Sequence, residues 1–181
     1  MSTNQFDAFD LDILKEIGNI GAGNAATALS QILNKKIDLE VSMAEFCDLT
    51  EVPERLGGAE EVRTGIFFGV KEALKGFIFF LLDEEDAYKL YRVAAGEYEI
   101  EKEAVLSEIA NIISGAYVGA IATMINSTID ITPPEVGQDM LGALIDSLIS
   151  NLCTVADKTV FIKTSLIIES ETIAGYYVLM L

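Results

Sequence analysis

The sequence predicts an α/β protein in which two related halves each supply one long helix and several β-strands. Three observations predict this class: a segment that recurs later in the chain, apolar residues at helical spacing in both copies, and two apolar strands joined by a polar turn in each half. The chain has 181 residues, 51% of them hydrophobic, which suits a single domain with its own core. We expect one domain, 1–181, made of repeats at about 10–95 and 102–181.

The recurring segment runs from Glu16 to Ser42 and again from Glu108 to Pro134, without a gap. So many identities in an ungapped pair are unexpected by chance, and they predict an internal duplication. The identical positions are Glu16/Glu108, Ile17/Ile109, Asn19/Asn111, Ile20/Ile112, Gly23/Gly115, Ala28/Ala120, Asn34/Asn126, Ile37/Ile129 and Asp38/Asp130.

Each repeat begins with apolar or small residues at steps of three and four, the spacing of an amphipathic helix. We expect the first helix within Asp10 to Leu33, and the second around the copy of the same pattern. The core-facing stripes are predicted to be Leu11, Leu14, Gly18, Ala22, Ala25, Leu29 and Ile32 in the first helix and Leu106, Ile109, Ile113, Ala116, Ala120 and Met124 in the second.

The remaining elements follow each helix in the same order. A short stretch that alternates apolar with polar residues predicts a strand, and two apolar runs joined by a polar turn predict a β-hairpin. Acids at Asp83, Glu84 and Glu85 favour a helix N-terminus. The predicted segments are strands at 37–41 and 129–132, hairpins at 64–82 and 159–181, and shorter helices at 83–95 and 138–152.

Composition excludes several classes of function. A net charge of −17 disfavours nucleic acid and anionic membrane as partners, since binding to phosphates depends on lysine and arginine. There is no histidine, and Cys47 and Cys153 match no metal motif, so we expect no metal site and two buried thiols. The first residues do not read as a secretory signal, which predicts a cytoplasmic protein. The uncharged stretch 109–129 is expected to pack on a sheet rather than enter a membrane.

The candidate site is a stripe of glutamate, asparagine and glycine at positions 0, +3 and +7, which lie on one helix face. Asparagine is a mediocre helix former, so its presence in both repeats favours a functional role. The alternative is that both asparagines satisfy local backbone groups or the interface between the halves. The stripe residues are Glu16, Asn19 and Gly23 in the first repeat and Glu108, Asn111 and Gly115 in the second.

The chemistry that fits this stripe is hydrolysis of a phosphoryl group by water, because no paired serine, cysteine or histidine nucleophile accompanies it. A carboxamide both donates and accepts hydrogen bonds, so it can hold a water in line with phosphorus. The glutamate would act as a base or bind a lysine of a partner protein. The glycine keeps the helix surface low, which lets another protein approach.

The stripe and its surroundings resemble the motif of the CheC, CheX and FliY phosphatases: an acid or serine, three residues, Glu, two residues, Asn, twenty-two residues, Pro. The resemblance covers nearly the whole chain, and having two copies makes it specific. Two positions depart from the motif, Ser42 in place of the proline and Ala104 in place of the acid. The residues that fit are Asp12, Glu16 and Asn19, and then Glu108, Asn111 and Pro134.

This resemblance implies an α/β sandwich of pseudo-twofold symmetry, with two long helices side by side on one face of an antiparallel sheet. It implies a phosphatase that acts on the phospho-aspartate of CheY, with Asn19 and Asn111 positioning water and Glu16 and Glu108 holding a lysine of CheY. The protein would have no cofactor of its own, because the response regulator would bring Mg²⁺. It also implies binding of the receptor deamidase CheD, through Asp139 at the start of a helix.

Two other functions compete with this hypothesis. A dinucleotide-binding domain is suggested by Gly21, Gly23 and Ala26, which fit G-x-G-x-x-[GA], but it requires a buried strand at 11–20, where polar residues occur at helical spacing. A non-catalytic chemotaxis adaptor would bind phosphorylated CheY or CheD through the same surfaces without hydrolysis. The chain resembles CheC more than FliY, and CheX remains an alternative within the family.

Overall fold

The computed structural model describes residues 8–72, 76–151 and 159–180, which form an α/β fold. A 3₁₀ turn at Leu49–Glu51 precedes the second helix. The helices are α1 Ala8–Leu33, α2 Val52–Arg55, α3 Glu84–Ala95, α4 Lys102–Met124 and α5 Leu141–Asn151. The strands are β1 Ile37–Cys47, β2 Val62–Glu72, β3 Gly76–Asp83, β4 Ile129–Ile131, β5 Glu135–Met140, β6 Thr159–Ile168 and β7 Glu171–Met180.

The strands form one antiparallel sheet in the order β1-β6-β7-β3-β2-β4. Strand β5 also pairs with β2, along a different part of β2 from the one that pairs with β4. The hairpins β2–β3 and β6–β7 meet where β3 pairs with β7, at the centre of the sheet. Strand β1 pairs with the later hairpin, and β4 and β5 pair with the earlier one. The predicted antiparallel α/β architecture is therefore confirmed, whereas the duplication and the repeat boundaries stay predictions.

The two long helices pack side by side on one face of the sheet, as expected. Alternate residues of the strands point toward them, and the core between these layers contains Leu29 of α1, Ile113 of α4, and Ile66, Phe68 and Ile78 of the sheet. The opposite face carries a smaller core with α2 and α5. Strand β3 is buried on both faces from Ile78 to Leu82, because the sheet is covered on both sides there.

The long helices approach one another closely at Gly21. A β-carbon placed there would be 2.7 Å from Cδ1 and 2.9 Å from Cα of Tyr117. Only glycine lets the two backbones approach this closely. Glu16 and Ile20 lie beside Ala120 and Met124, so α1 and α4 run antiparallel.

Both long helices stop at an asparagine in the left-handed conformation. Asn34 follows α1 with φ 50°, and Asn126 follows α4 with φ 50°. Asparagine tolerates this conformation better than most residues other than glycine, and a residue of this kind ends a helix by reversing the chain. This requirement explains why asparagine occurs at both positions of the repeat.

Helix α3 begins where predicted and is tied to the sheet. The Asp83 carboxylate accepts a hydrogen bond from the backbone N–H of Asp86 (2.7 Å), which caps the helix. Asp86 itself is buried and accepts from the backbone N–H of Ala174 (2.9 Å). The pairing of β3 with β7 ends at Leu81 and Tyr176, so Asp86 satisfies a strand donor just beyond the ladder.

Several local predictions were wrong. Residues 138–140 belong to strand β5, so the helix expected from 138 begins at Leu141. Glu135, Gln138, Asp139 and Met140 are exposed in this strand, and their pattern lacks the apolar alternation that identifies a strand. The predictions that fall on Cys153 and on the side chain of Leu11 lie outside the described residues.

The C-terminal ends of both predicted apolar stripes are exposed rather than buried. Ile32 is 60% exposed and Met124 is 54% exposed. Each lies in the last turn of its helix, beyond the last stripe residue in the core, Leu29 in α1 and Ala120 in α4. The spacing rule identified the correct face but not where along it the burial ends.

Candidate functional site

The first stripe lies on the solvent face of α1. Glu16, Asn19 and Gly23 are exposed, whereas Ile17 and Gly18 between them face the core. Within the described part of the chain, neither the Glu16 carboxylate nor the Asn19 carboxamide has a hydrogen-bond or ion-pair partner. Both groups are therefore free to bind another molecule.

The second stripe lies in the same way on α4. Glu108 and Gly115 are exposed and Asn111 is half-buried. Neither Glu108 nor Asn111 makes a side-chain hydrogen bond to any described residue. The alternative role for the asparagines, satisfying nearby backbone groups, therefore has no bond to support it in either helix.

The stripe glycines leave open space on the helix surface. A β-carbon at Gly23 or Gly115 would meet no atom within 4 Å, so packing inside the protein does not require glycine at either position. Gly18, by contrast, faces β1, and a β-carbon there would lie 3.2 Å from Cγ2 of Val41. Glycine costs a helix about 1 kcal/mol relative to alanine. Neither helix propensity nor packing inside the described protein accounts for glycine at 23 and 115.

The two stripes lie at separate places along the helix pair. Glu16 lies opposite the C-terminal part of α4, beside Ala120 and Met124, whereas Glu108 lies near the N-terminus of the same helix. At 1.5 Å per residue, these points on α4 are on the order of 20 Å apart. The two glutamates are too far apart to act as a carboxylate pair on one substrate.

An apolar groove adjoins the first stripe, and the sequence analysis missed it. It encloses about 560 Å³ between α1 and α4, with Glu16 at its edge and Ile17, Ile20 and Met124 among its walls. Ile20 is 50% exposed. The signal was present in the sequence: Ile20 and Ile112 are identical in the repeat, yet neither lies on the predicted apolar stripe.

The supporting motif residues fall into two groups. Asp12 is exposed on α1, one turn before Glu16. Pro134 lies between β4 and β5, in a segment held to β2 because Thr132 and Gly69 exchange hydrogen bonds of 2.8 Å. Ser42, at the equivalent position, lies at an irregularity of β1 and donates to the carbonyl of Lys163 (3.1 Å). Ser42 thus belongs to strand β1 and Pro134 to the loop between β4 and β5, and neither lies on a helix face.

Asp139 lies in β5 opposite Arg63 of β2, and not at the start of a helix as predicted. Its side chain is exposed, and its Oδ1 accepts a hydrogen bond from the backbone N–H of Met140 (2.7 Å). Asp139 is not a helix-start acid, because β5 stays paired with β2 as far as Met140 and the helix begins only at Leu141. The residue remains accessible at the surface.

Metal ligands and the Cys47 thiol are the other groups that could take part in catalysis. Among the residues described, no three histidine, cysteine or acidic side chains cluster as metal ligands would. Cys47 is buried as predicted, and burial raises the pKa of its thiol despite a hydrogen-bond contact with Thr159. A buried neutral thiol is a poor nucleophile.

The dinucleotide-binding hypothesis is wrong. It requires a strand at 11–20 followed by a glycine-rich loop, but α1 is continuous from Ala8 to Leu33 and includes Gly21, Gly23 and Ala26. The glycine at 21 is explained by the approach of Tyr117.

Helix α4 is long and apolar enough to cross a membrane by length and composition, but Leu106, Ile109 and Ile113 pack into the core on the sheet.

Comparison with known proteins identifies the family. The sequence profile of the CheC-like family matches residues 9–41 and 101–137, the segments that contain both stripes. The CheY-P phosphatase CheC of Bacillus subtilis (strain 168) is 34% identical over 170 residues, which cover 89% of this chain and 81% of that protein. The chain belongs to the CheC-like family.

Solved structures support the fold. The crystal structure of Thermotoga maritima FliY superposes with a TM-score of 0.77 at 22% identity, covering 96% of this chain and 91% of that one. The crystal structure of the FliM middle domain from H. pylori superposes with a TM-score of 0.67 at 13% identity, covering 96% of this chain and 92% of that one. At these identities the similarity concerns the fold alone.

Proposed function

We propose that this protein is a phosphatase that hydrolyses the phospho-aspartate of the response regulator CheY. One observation carries the proposal: each long helix presents a Glu-x-x-Asn pair with no internal partner, beside a glycine over open space. The relative that is 34% identical is named a CheY-P phosphatase. A surface of this kind can reach into the phosphorylated site of another protein.

In this mechanism the carboxamide of Asn19 or Asn111 holds the attacking water. Its oxygen accepts a hydrogen bond from the water and its N–H₂ donates toward the phosphoryl oxygens, which fixes the water in line. Water supplies the oxygen that attacks phosphorus, and the aspartate carboxylate of CheY leaves as phosphate forms. Glu16 and Glu108 bind a lysine of CheY and orient the regulator. Mg²⁺ is brought by CheY, where it neutralises charge on the phosphoryl group.

The test is the decay of phosphorylated CheY with the wild type, with Asn19→Ala, with Asn111→Ala and with both substitutions together. We expect acceleration by the wild type, partial loss in each single variant and complete loss in the double variant, while binding of phosphorylated CheY persists. Gln31→Ala, which removes an exposed carboxamide elsewhere on α1, is the matched control and keeps the full rate. Decay that the wild type does not accelerate disproves the proposal.

The second candidate is a non-catalytic adaptor that binds phosphorylated CheY or CheD. The observation in its favour is that the fold is shared with FliM, a protein solved in complex with FliG. The same experiment separates the two functions. An adaptor leaves the phosphoryl lifetime unchanged, and substitution of both asparagines then has no effect on it.

We also propose CheD as a partner, with Asp139 at the contact. Asp139 is exposed on β5 and is part of neither helix stripe. Asp139→Ala should therefore weaken binding of CheD and leave the phosphatase rate intact. Equal loss of both properties would indicate a general defect in folding rather than a separate contact.

A further inference from the structure

The apolar groove beside Glu16 is built by both long helices. Ile17 and Ile20 contribute from α1, and Ala120 and Met124 contribute from α4. Ile20 and Met124 both line the groove and are 50% and 54% exposed, so the groove presents apolar surface to solvent. At about 560 Å³ the groove is in the size range of sites that bind small ligands or side chains.

We propose that this groove receives an apolar side chain of the response regulator, next to the lysine that binds Glu16, so that each catalytic pair is completed by the opposite helix. This inference rests on the proposed function and names what the same site recognises. The first pair lies on α1 but depends on Met124 of α4. Water is thus positioned by α1 alone, whereas recognition draws on both helices.

Continuity with the catalytic pair argues for the response regulator as the occupant. Ile20 directly follows Asn19, and Glu16 lines the groove. A protein that brings its phosphoryl group to the Asn19 carboxamide must therefore also cover Ile20. An apolar side chain in the groove removes the exposed surface of Ile20 and Met124 from water.

Charge argues against a second copy of this chain as the occupant. Each copy carries a net charge of −17, so two copies repel one another. The unpaired Glu16 carboxylate requires a cation from whatever binds beside it. A partner segment with a lysine close to an apolar residue satisfies both the carboxylate and the groove.

The antiparallel helices extend the inference to the second pair. Because α1 and α4 are antiparallel, residues that follow Gly21 in α1 run beside residues that precede Tyr117 in α4. At equal distances from that contact, Ile32 corresponds to Leu106, which lies two residues before Glu108 in the sequence. Ile32 is the repeat equivalent of Met124 and is 60% exposed. From this arrangement we expect Ile32 of α1 to serve the pair on α4, as Met124 of α4 serves the pair on α1.

The experiment isolates one pair at a time. Asn111→Ala leaves only the first pair, and Asn19→Ala leaves only the second. In each background the rate of CheY dephosphorylation is measured against the concentration of phosphorylated CheY. We expect Met124→Ser to raise the half-saturating concentration about tenfold in the Asn111→Ala background, which corresponds to about 1.4 kcal/mol, with the maximal rate retained. In the Asn19→Ala background, Ile32→Ser has this effect and Met124→Ser has none.

Matched controls are available at exposed apolar residues elsewhere. Met140→Ser matches Met124→Ser, since Met140 is 49% exposed on β5, and Ile100→Ser matches Ile32→Ser, since Ile100 is 46% exposed before α4. Both controls keep the half-saturating concentration of their background. Thermal unfolding of every variant shows whether it remains folded at the assay temperature.

The outcomes separate this inference from the proposed function. If neither background accelerates the decay although the wild type does, the two pairs do not act independently and the inference is overturned. If the wild type itself gives no acceleration, the proposed function fails. If a background is active but its apolar variant leaves the half-saturating concentration unchanged, or if Met124→Ser acts equally in both backgrounds, only the groove inference is overturned. A dimer in solution that Met124→Ser dissociates would assign the groove to a second copy and would also overturn it.

Discussion

Substitution of Gly21 by alanine should separate the two long helices and destabilise the protein. The added methyl group would lie 2.7 Å from Cδ1 and 2.9 Å from Cα of Tyr117. Carbon atoms in contact prefer about 3.5–4.0 Å, so α1 and α4 must move apart by about 0.6 Å or more. Rotation of the tyrosine ring relieves only one of these contacts, because the other involves the backbone.

The magnitude follows from two opposing effects. Overpacking of a core costs about 1–3 kcal/mol, and replacing glycine by alanine in a helix returns about 1 kcal/mol. The difference lowers the free energy of unfolding by up to about 2 kcal/mol. For a chain of 181 residues, a loss of about 2 kcal/mol corresponds to a fall in Tm of about 4–8 °C.

Gly23→Ala, two residues further on the same helix, is the matched control. Its added methyl group meets no atom within 4 Å, so only the gain in helix propensity remains and the free energy of unfolding should rise by up to about 1 kcal/mol. Denaturant unfolding followed by circular dichroism measures both variants. If Gly21→Ala is as stable as Gly23→Ala, the close approach of the helices at this point is refuted.

Three further predictions concern buried groups. Asp86→Ala leaves the N–H of Ala174 without its acceptor and should lower the free energy of unfolding by about 1–3 kcal/mol; an unchanged denaturation midpoint would contradict this role. Burial raises the pKa of Tyr117 and Tyr177 above 10.0. Above that pH the unfolded chain therefore loses protons that the native protein retains. The free energy of unfolding then falls by up to about 1.4 kcal/mol per pH unit for each tyrosine. Replacing both by phenylalanine should make this fall shallower, as measured by unfolding between pH 9 and 11, values chosen to span the ordinary tyrosine pKa of about 10. The buried Cys47 should react with a thiol reagent only after unfolding, and rapid modification of the native protein, detected by peptide mass spectrometry, would show that it is accessible.

The elements with strong periodicity could be predicted from the sequence. Helix α1 was expected from residue 10 to 33 and begins at Ala8, and helix α3 was expected at 83–95 and begins at Glu84 after its Asp83 cap. Strand β5 could not be predicted, because its exposed polar residues show no alternation and it exists through its pairing with β2. Pairing between distant segments leaves no local pattern in such a strand.

The candidate site shows the same division. The exposure of Glu16, Asn19 and Gly23 follows from their common helix face, which spacing reveals. The groove formed with Met124 depends on how two distant helices cross, and spacing within one helix does not contain that information. The repeat is the sequence feature that comes nearest to indicating the groove. It aligns Met124 with Ile32, which is also a large apolar residue exposed at the end of a long helix.

The strand order has a consequence for how the chain folds during synthesis. Strand β7 is the last of the described strands to leave the ribosome, yet it lies in the interior of the sheet between β6 and β3. Strand β1 must likewise wait for β6, since Ile37 pairs with Ile168. Contacts between such distant segments slow folding. The nascent chain therefore exposes the apolar faces of β1, β2 and β3 until β6 and β7 have left the ribosome. We expect the N-terminal half alone to require a chaperone to remain soluble.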